Sequence, residues 1–284
     1  MRKYLKLRKA FTMIELIFVI IVLGIISSIG AEIIANVYEG YILQRAQHRA
    51  SLKTELAATQ IANRLAYAIP GTVVRRSSLS GTYEDINVPT ATDHTILQWV
   101  GADMDSFKAL TSNANRKPGW SGFCDVDAWV PGSTTISTPG SKLSLTKRII
   151  TKLSGTTKTI ADAVLYFPTD SAPIAAPIAS STNTNSITLD ATPPRITEHY
   201  KLAWTSYALV ADGDLTLKYN FSPAIGADST NASSQILLRN VSTFEFRGDG
   251  RTIRFKICVD EDIGATKADG SPDPITICKE KAVF

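Results

Sequence analysis

The chain has 284 residues, 44% hydrophobic and 20% charged, an ordinary globular composition with room for one large domain or two small ones. Its formal net charge of +4 is smaller than the basic cluster at the start, where Arg2, Lys3, Lys6, Arg8 and Lys9 stand without an acid, so the remainder is slightly acidic. That balance gives no strong electrostatic case for a nucleic-acid-binding protein.

Residues 11–31 are apolar apart from Thr12, Glu15, Ser27 and Ser28. They reach the roughly 20 residues needed to cross a hydrocarbon core. The cations lie immediately before this run, so the positive-inside bias puts the N-terminus in the cytoplasm and the chain beyond residue 32 outside. A secretory signal peptide carries its small-residue cleavage site after the apolar run, whereas here the small residue, Ala10, precedes it. Glu15 is out of place in a plain anchor, because a carboxylate in hydrocarbon costs about 2.5–3.5 kcal/mol on insertion scales. It needs a cationic partner or a snorkelling route to the cytoplasmic interface.

The stretch RKAFTMIELIFVIIVLGI, residues 8–25, resembles the processing and methylation motif of type IV prepilins and type II secretion pseudopilins. The resemblance implies that a membrane-bound aspartic prepilin peptidase cuts between Ala10 and Phe11 and methylates the new amine of Phe11. Ala10 stands where that family usually has Gly. The resemblance also gives Glu15 its partner, the Phe11 amine of a neighbouring subunit, whose contact would set subunit registry. It implies a leader at 1–10, a transmembrane and filament-core half of one long helix at 11–35, a docked half at 36–70 and a globular head at 71–284.

The residues themselves support that helix, since no proline occurs between 11 and 69 and Pro70-Gly71 ends the run. At about 1.5 Å per residue it spans about 90 Å, more than one bilayer, so its second half lies outside. There Leu52, Leu56, Ile61, Leu65 and Ile69 form a stripe predicted to dock on a sheet. Gly24, Gly30 and Ser27-Ser28 are either weak points for bending or, the preferred reading, small positions that admit close helix packing.

Beyond Gly71 the chain turns to Thr, Ser, Gly and Pro with short β-favouring runs and no second long helical pattern. The predicted class is therefore α+β, with one long N-terminal helix on a mainly antiparallel β head, the pilin-like fold that the motif implies. Residues 131–145 and 168–195 read as loops. Residues 199–210 and 214–221 flank Asp212-Gly213, and 241–247 and 251–259 flank Gly248-Asp249-Gly250, so each pair is predicted to be an antiparallel hairpin. A further strand is expected at 275–279. The run LLRNVSTFEFRGDGRTIRFKI, residues 237–257, is similar to the final hairpin of large minor pseudopilins of the J type or the W type of type IV pilus systems. A K-type tip subunit would lack the acid that Glu15 supplies.

Cys258 and Cys278 occupy the polar parity of their strands and are the expected disulfide pair in an oxidising periplasm, leaving Cys124 free. Pairing of Cys124 with either partner stays open from sequence. His48, His94 and His199 are isolated, and HExxH, CxxC and GxSxG motifs are absent, so neither an enzyme nor a cofactor is expected. Asp260, Glu261, Asp262, Asp269 and Asp273 read as a solvated acidic loop, with calcium at Asp260, Asp262 and Asp269 the minor alternative. Trp99, Trp120, Trp129 and Trp204 with Arg75-Arg76 or Lys147-Arg148 would suit nucleic acid if exposed, but core packing is the preferred reading.

The expected function is thus structural: a minor subunit of a type II secretion or type IV pilus filament, anchored in a bacterial inner membrane with its head in the periplasm. Its partners would be prepilin peptidase and other pilins or pseudopilins. The alternatives are a DNA-uptake pseudopilin and a periplasmic binding or enzyme domain on a membrane anchor.

Overall fold

A computed structural model describes residues 12–89, 94–112, 116–170, 172–264, 266, 270–271 and 273–284. Helix α1, Met13–Leu65, is unbroken through Gly24 and Gly30. None of its first 37 positions is buried, large apolar side chains stand exposed along them as far as Leu43, and its buried residues are Ala50, Thr54, Ala57, Ala58, Ile61 and Leu65.

That buried set is a helical face, with members three, four or seven positions apart. It corrects the predicted stripe. Leu52 and Leu56 are 51% and 63% exposed, roughly half a turn away, and short side chains take the contact instead. Ala and Thr let the helix backbone lie close to the sheet, and the Thr54 hydroxyl hides its polarity by donating to the Ala50 carbonyl at 2.7 Å. The helix also stops four residues before Ile69. The chain there is captured by a strand: Ile69 N–H donates to Val100 O at 2.9 Å and Ala102 N–H to Tyr67 O at 2.9 Å.

Among the described residues the head contains three sheets. Strands β1 (Val74–Arg76), β2 (Glu84–Asp85), β3 (Ile96–Gly101), β9 (Thr205–Asp212), β10 (Asp214–Phe221) and β11 (Ser233–Leu238) form one, in the order β11-β10-β9-β3-β1-β2. Strands β12 (Val241–Asp249), β13 (Thr252–Glu261) and β14 (Ile275–Val283) form another. The buried face of α1 shares one core with these two sheets through Leu97, Trp99, Leu209, Phe255 and Ile257. The third sheet, ordered β4-β7-β6-β5-β8, is built from β4 (Thr135–Ser137), β5 (Val164–Phe167), β6 (Ile174–Ser181), β7 (Ser186–Leu189) and β8 (Lys201–Ala203). It makes a second core with the short helix α3, Leu143–Leu153, whose Leu143, Thr146 and Ile150 point inward.

The third sheet and α3 occupy much of the two segments that read as loops. Ile136, Ile178, Ile187 and Leu189 are buried at alternate strand positions, while the Ser, Thr, Pro and Ala between them take the other face. One inward residue in two is enough for a half-buried strand, and composition averaged over the segment hides it. Residues 199–210 are not one strand either. Trp204 interrupts them, sending β8 to the third sheet and β9 to the first.

Both predicted hairpins form. Asp212 pairs with Asp214 around Gly213, at φ 69°. In the second, Asp249 pairs with Thr252, so the tip is Gly250-Arg251 and Gly248 lies within the ladder opposite Ile253. Gly248 is required by packing, because a Cβ there would meet Asn87 Oδ1 at 2.6 Å and Ile86 Cγ2 at 2.8 Å.

The Cys258–Cys278 disulfide ties β13 to β14, and Cys124 is a buried free thiol whose pKa burial raises to about 11. Strand β14 continues to Val283, past the predicted end at 279, and its Lys279 and Lys281 both pair with Glu55 of α1. Replacing Cys258 and Cys278 together by Ser should lower unfolding stability by about 3 kcal/mol on the loop-closure account, read as a shifted urea midpoint.

Candidate functional site

Two regions carry the features that bear on function: the start of α1 and a cleft in the head. Ala10 and Phe11, the predicted cleavage and methylation positions, lie outside the described residues. Glu15 stands in the first turn of α1, its N–H donating to Thr12 O at 3.1 Å. A carboxylate there gains about 0.3–1 kcal/mol from the helix N-terminus. That does not offset the insertion cost of about 2.5–3.5 kcal/mol, so the helix end alone does not account for Glu15 in an apolar segment. Helix α1 is long and apolar enough to cross a membrane, with mean hydropathy 2.6 in its most apolar stretch and none of that stretch buried.

The head does not bring the proposed nucleic-acid surface together. Trp99, Trp120 and Trp204 are buried, and the Arg75 and Arg76 guanidinium groups are used internally. Arg75 pairs with Glu84 at 3.2 Å, and Arg76 donates to Gln98 Oε1 at 2.9 Å and to the Ala227 carbonyl at 2.8 Å. Lys147 donates to Ser181 O at 2.8 Å.

The acidic loop is equally occupied at its edge. Asp260 Oδ1 accepts from Ser242 Oγ at 3.0 Å and Thr276 Oγ1 at 2.7 Å, while Asp262 Oδ1 accepts from the Gly264 N–H at 2.8 Å. Asp269 lies outside the described residues. Among those described, no group of three or more His, Cys, Asp or Glu is placed to hold a metal ion. The histidines stand on separate elements, His48 on α1, His94 beside Glu84 at 3.7 Å and His199 against the Phe123 ring.

The cleft has a volume of about 980 Å³ and is lined by Tyr67, Phe107, Trp120, Phe123, Tyr166 and His199, with polar residues at its rim. Its floor is a ring series: Phe107 lies 4.8 Å from Trp120, which lies 5.7 Å from Tyr200. The segment Gly119-Trp120-Ser121-Gly122-Phe123 puts Trp120 and Phe123 there. Gly122 adopts φ 79°, and a Cβ on Gly119 would meet Thr146 Oγ1 at 2.6 Å and Ser106 O at 2.7 Å. This site is not legible in the sequence, because its rings come from well-separated segments. The spacing of aromatics by Gly and Ser at 119–123 was the one local signal.

Asp103 locks the wall behind the cleft. Its N–H donates to Leu202 O at 2.7 Å and its carbonyl accepts from Trp120 Nε1 at 2.8 Å. Its side chain caps α2, Met104–Lys108, by accepting from the Ser106 N–H at 3.1 Å, while the other carboxyl oxygen is buried without a partner. Desolvation therefore raises its pKa from 3.8 to about 6. The folded state holds the proton where the unfolded chain has released it, so stability from this group is full below pH ~4 and is lost as pH rises through about 6. The loss should approach about 3 kcal/mol by pH 7. Asp103→Asn keeps the cap and removes the titration, so its melting temperature should fall less between pH 4 and 7 than that of the unmodified protein.

No family model, curated protein or solved structure matched the chain.

Proposed function

We propose that the chain is a structural subunit of a pilin-type filament, a minor component of a type II secretion or type IV pilus apparatus. The observation that carries the reading is α1: its first part is apolar and exposed with an acid in the first turn, and its last part packs into an α+β head. Exposed apolar surface on this scale needs a lipid or protein environment. A membrane supplies one before assembly and neighbouring helices supply one afterwards.

In this reading prepilin peptidase removes residues 1–10 and methylates Phe11, and the cytoplasmic start and periplasmic head follow from the basic leader. Glu15 accepts the Phe11 amine of the adjacent subunit, and repetition of that heterologous contact builds an open array. The protein catalyses no reaction of its own.

Mass spectrometry of the membrane-extracted protein should find a mature N-terminus at methylated Phe11. An intact Met1 in peptidase-competent cells would overturn the reading in favour of a head on an uncleaved anchor. Glu15→Ala should remain in the membrane fraction while its incorporation into sheared filaments falls about tenfold or more, equivalent to about 1.4 kcal/mol lost per contact. Normal incorporation would remove the role assigned to Glu15.

A further inference from the structure

The aromatic cleft is not explained by filament assembly. Tyr67, Phe107 and Phe123 leave 41%, 38% and 48% of their surface open, although Trp120 beneath them is fully packed. Partly open rings lining one cleft mark a binding surface more often than a structural one. Among the described residues the lining is aromatic with three prolines, and Ile69 and Met104 are its other apolar side chains larger than Ala. Flat rings suit a flat, partly apolar face better than a flexible lipid tail.

The charges in the lining narrow the ligand. Among the described lining residues Asp85 and Asp170 are balanced by Lys201 and Arg251, which gives no net sign with which to select a polyanion or a polycation. Asp85 already accepts from the Asn87 N–H at 2.7 Å. Asp170, Lys201 and Arg251 are exposed, and their side chains make no ion pair or hydrogen bond with any described residue. A hydroxyl can donate to the carboxylate and accept from either cation, so a neutral polyol satisfies both signs at once. The volume of about 980 Å³ lies at the upper end of small-ligand sites, more than one sugar ring requires.

We propose that the head binds a neutral oligosaccharide in this cleft, pyranose faces lying on Phe107 and Phe123 and hydroxyl groups bonded to Asp170, Lys201 and Arg251. The inference stands apart from the filament reading and holds whether or not residues 1–10 are removed.

Isothermal titration calorimetry of the full chain in detergent tests it with three neutral probes, cellotetraose, maltotetraose and tetra-N-acetylchitotetraose. At least one should bind saturably with Kd below about 1 mM. Phe123→Ala and Asp170→Asn should each weaken it about tenfold. Both side chains are exposed, and an unchanged melting temperature separates lost binding from lost fold. Binding should hold from low to high salt, because the ligand carries no charge to screen. Absence of saturable binding by all three probes overturns the proposal, as does binding that neither substitution weakens. A proline-rich decapeptide that binds in a Phe123-dependent way when the sugars do not would assign the cleft to polypeptide and overturn it too.

Discussion

A helix can join two sheets in one core only if the side chains at the crossing are short enough for its backbone to approach both, and α1 meets that condition from Ala50 to Leu65. Thr54, Ala57 and Ala58 present short side chains at the crossing, and Ile61 and Leu65 supply apolar bulk. The register of the first and second sheets against the helix follows. Trp99 and Leu97 of β3 and Phe255 and Ile257 of β13 fill the space that the small residues leave. The Glu55 pairs with Lys279 and Lys281 are half exposed and add little by themselves. They fix which side of β14 meets the helix more than how strongly it is held.

What was legible in the sequence was whatever repeats with a short period or is local in the chain. The long helix, both late hairpins, the Cys258–Cys278 pair and the α+β class all depend on neighbours within about 20 residues. The docking face is only half legible: Ile61, Leu65 and Ile69 are buried as their hydrophobicity suggests, whereas Leu52 and Leu56 are exposed and short side chains take their place. The third sheet is hidden for a different reason, since its strands are stabilised by partners far along the chain and are diluted with Ser, Thr and Pro. The cleft was beyond reach for the same cause. Tyr67, Trp120 and His199 become neighbours only after the strands are ordered, and nothing in their local sequence specifies that order.

The two parts of α1 obey different rules. From Met13 to Arg49 no residue is buried, and large side chains such as Ile21, Ile33 and Tyr38 stand more than half exposed. Water does not favour that surface, so the segment's stability depends on what surrounds it, whereas the segment from Ala50 onward brings its own surroundings in the head. The proposed filament role uses that division: one part can exchange lipid for protein neighbours while the other keeps its packing. No residue of α1 lines the proposed sugar cleft, which separates recognition from assembly within one chain.

The Cys258–Cys278 bridge and the Asp260 bond to Thr276 fasten both ends of the acidic stretch between β13 and β14. A segment pinned at its base by a covalent link can change length and composition without propagating strain into the strands, because each doubling of loop length adds only about 0.6 kcal/mol of closure entropy. The stretch is therefore a site of evolutionary freedom: insertions there would diversify what the protein presents while leaving its architecture inherited unchanged.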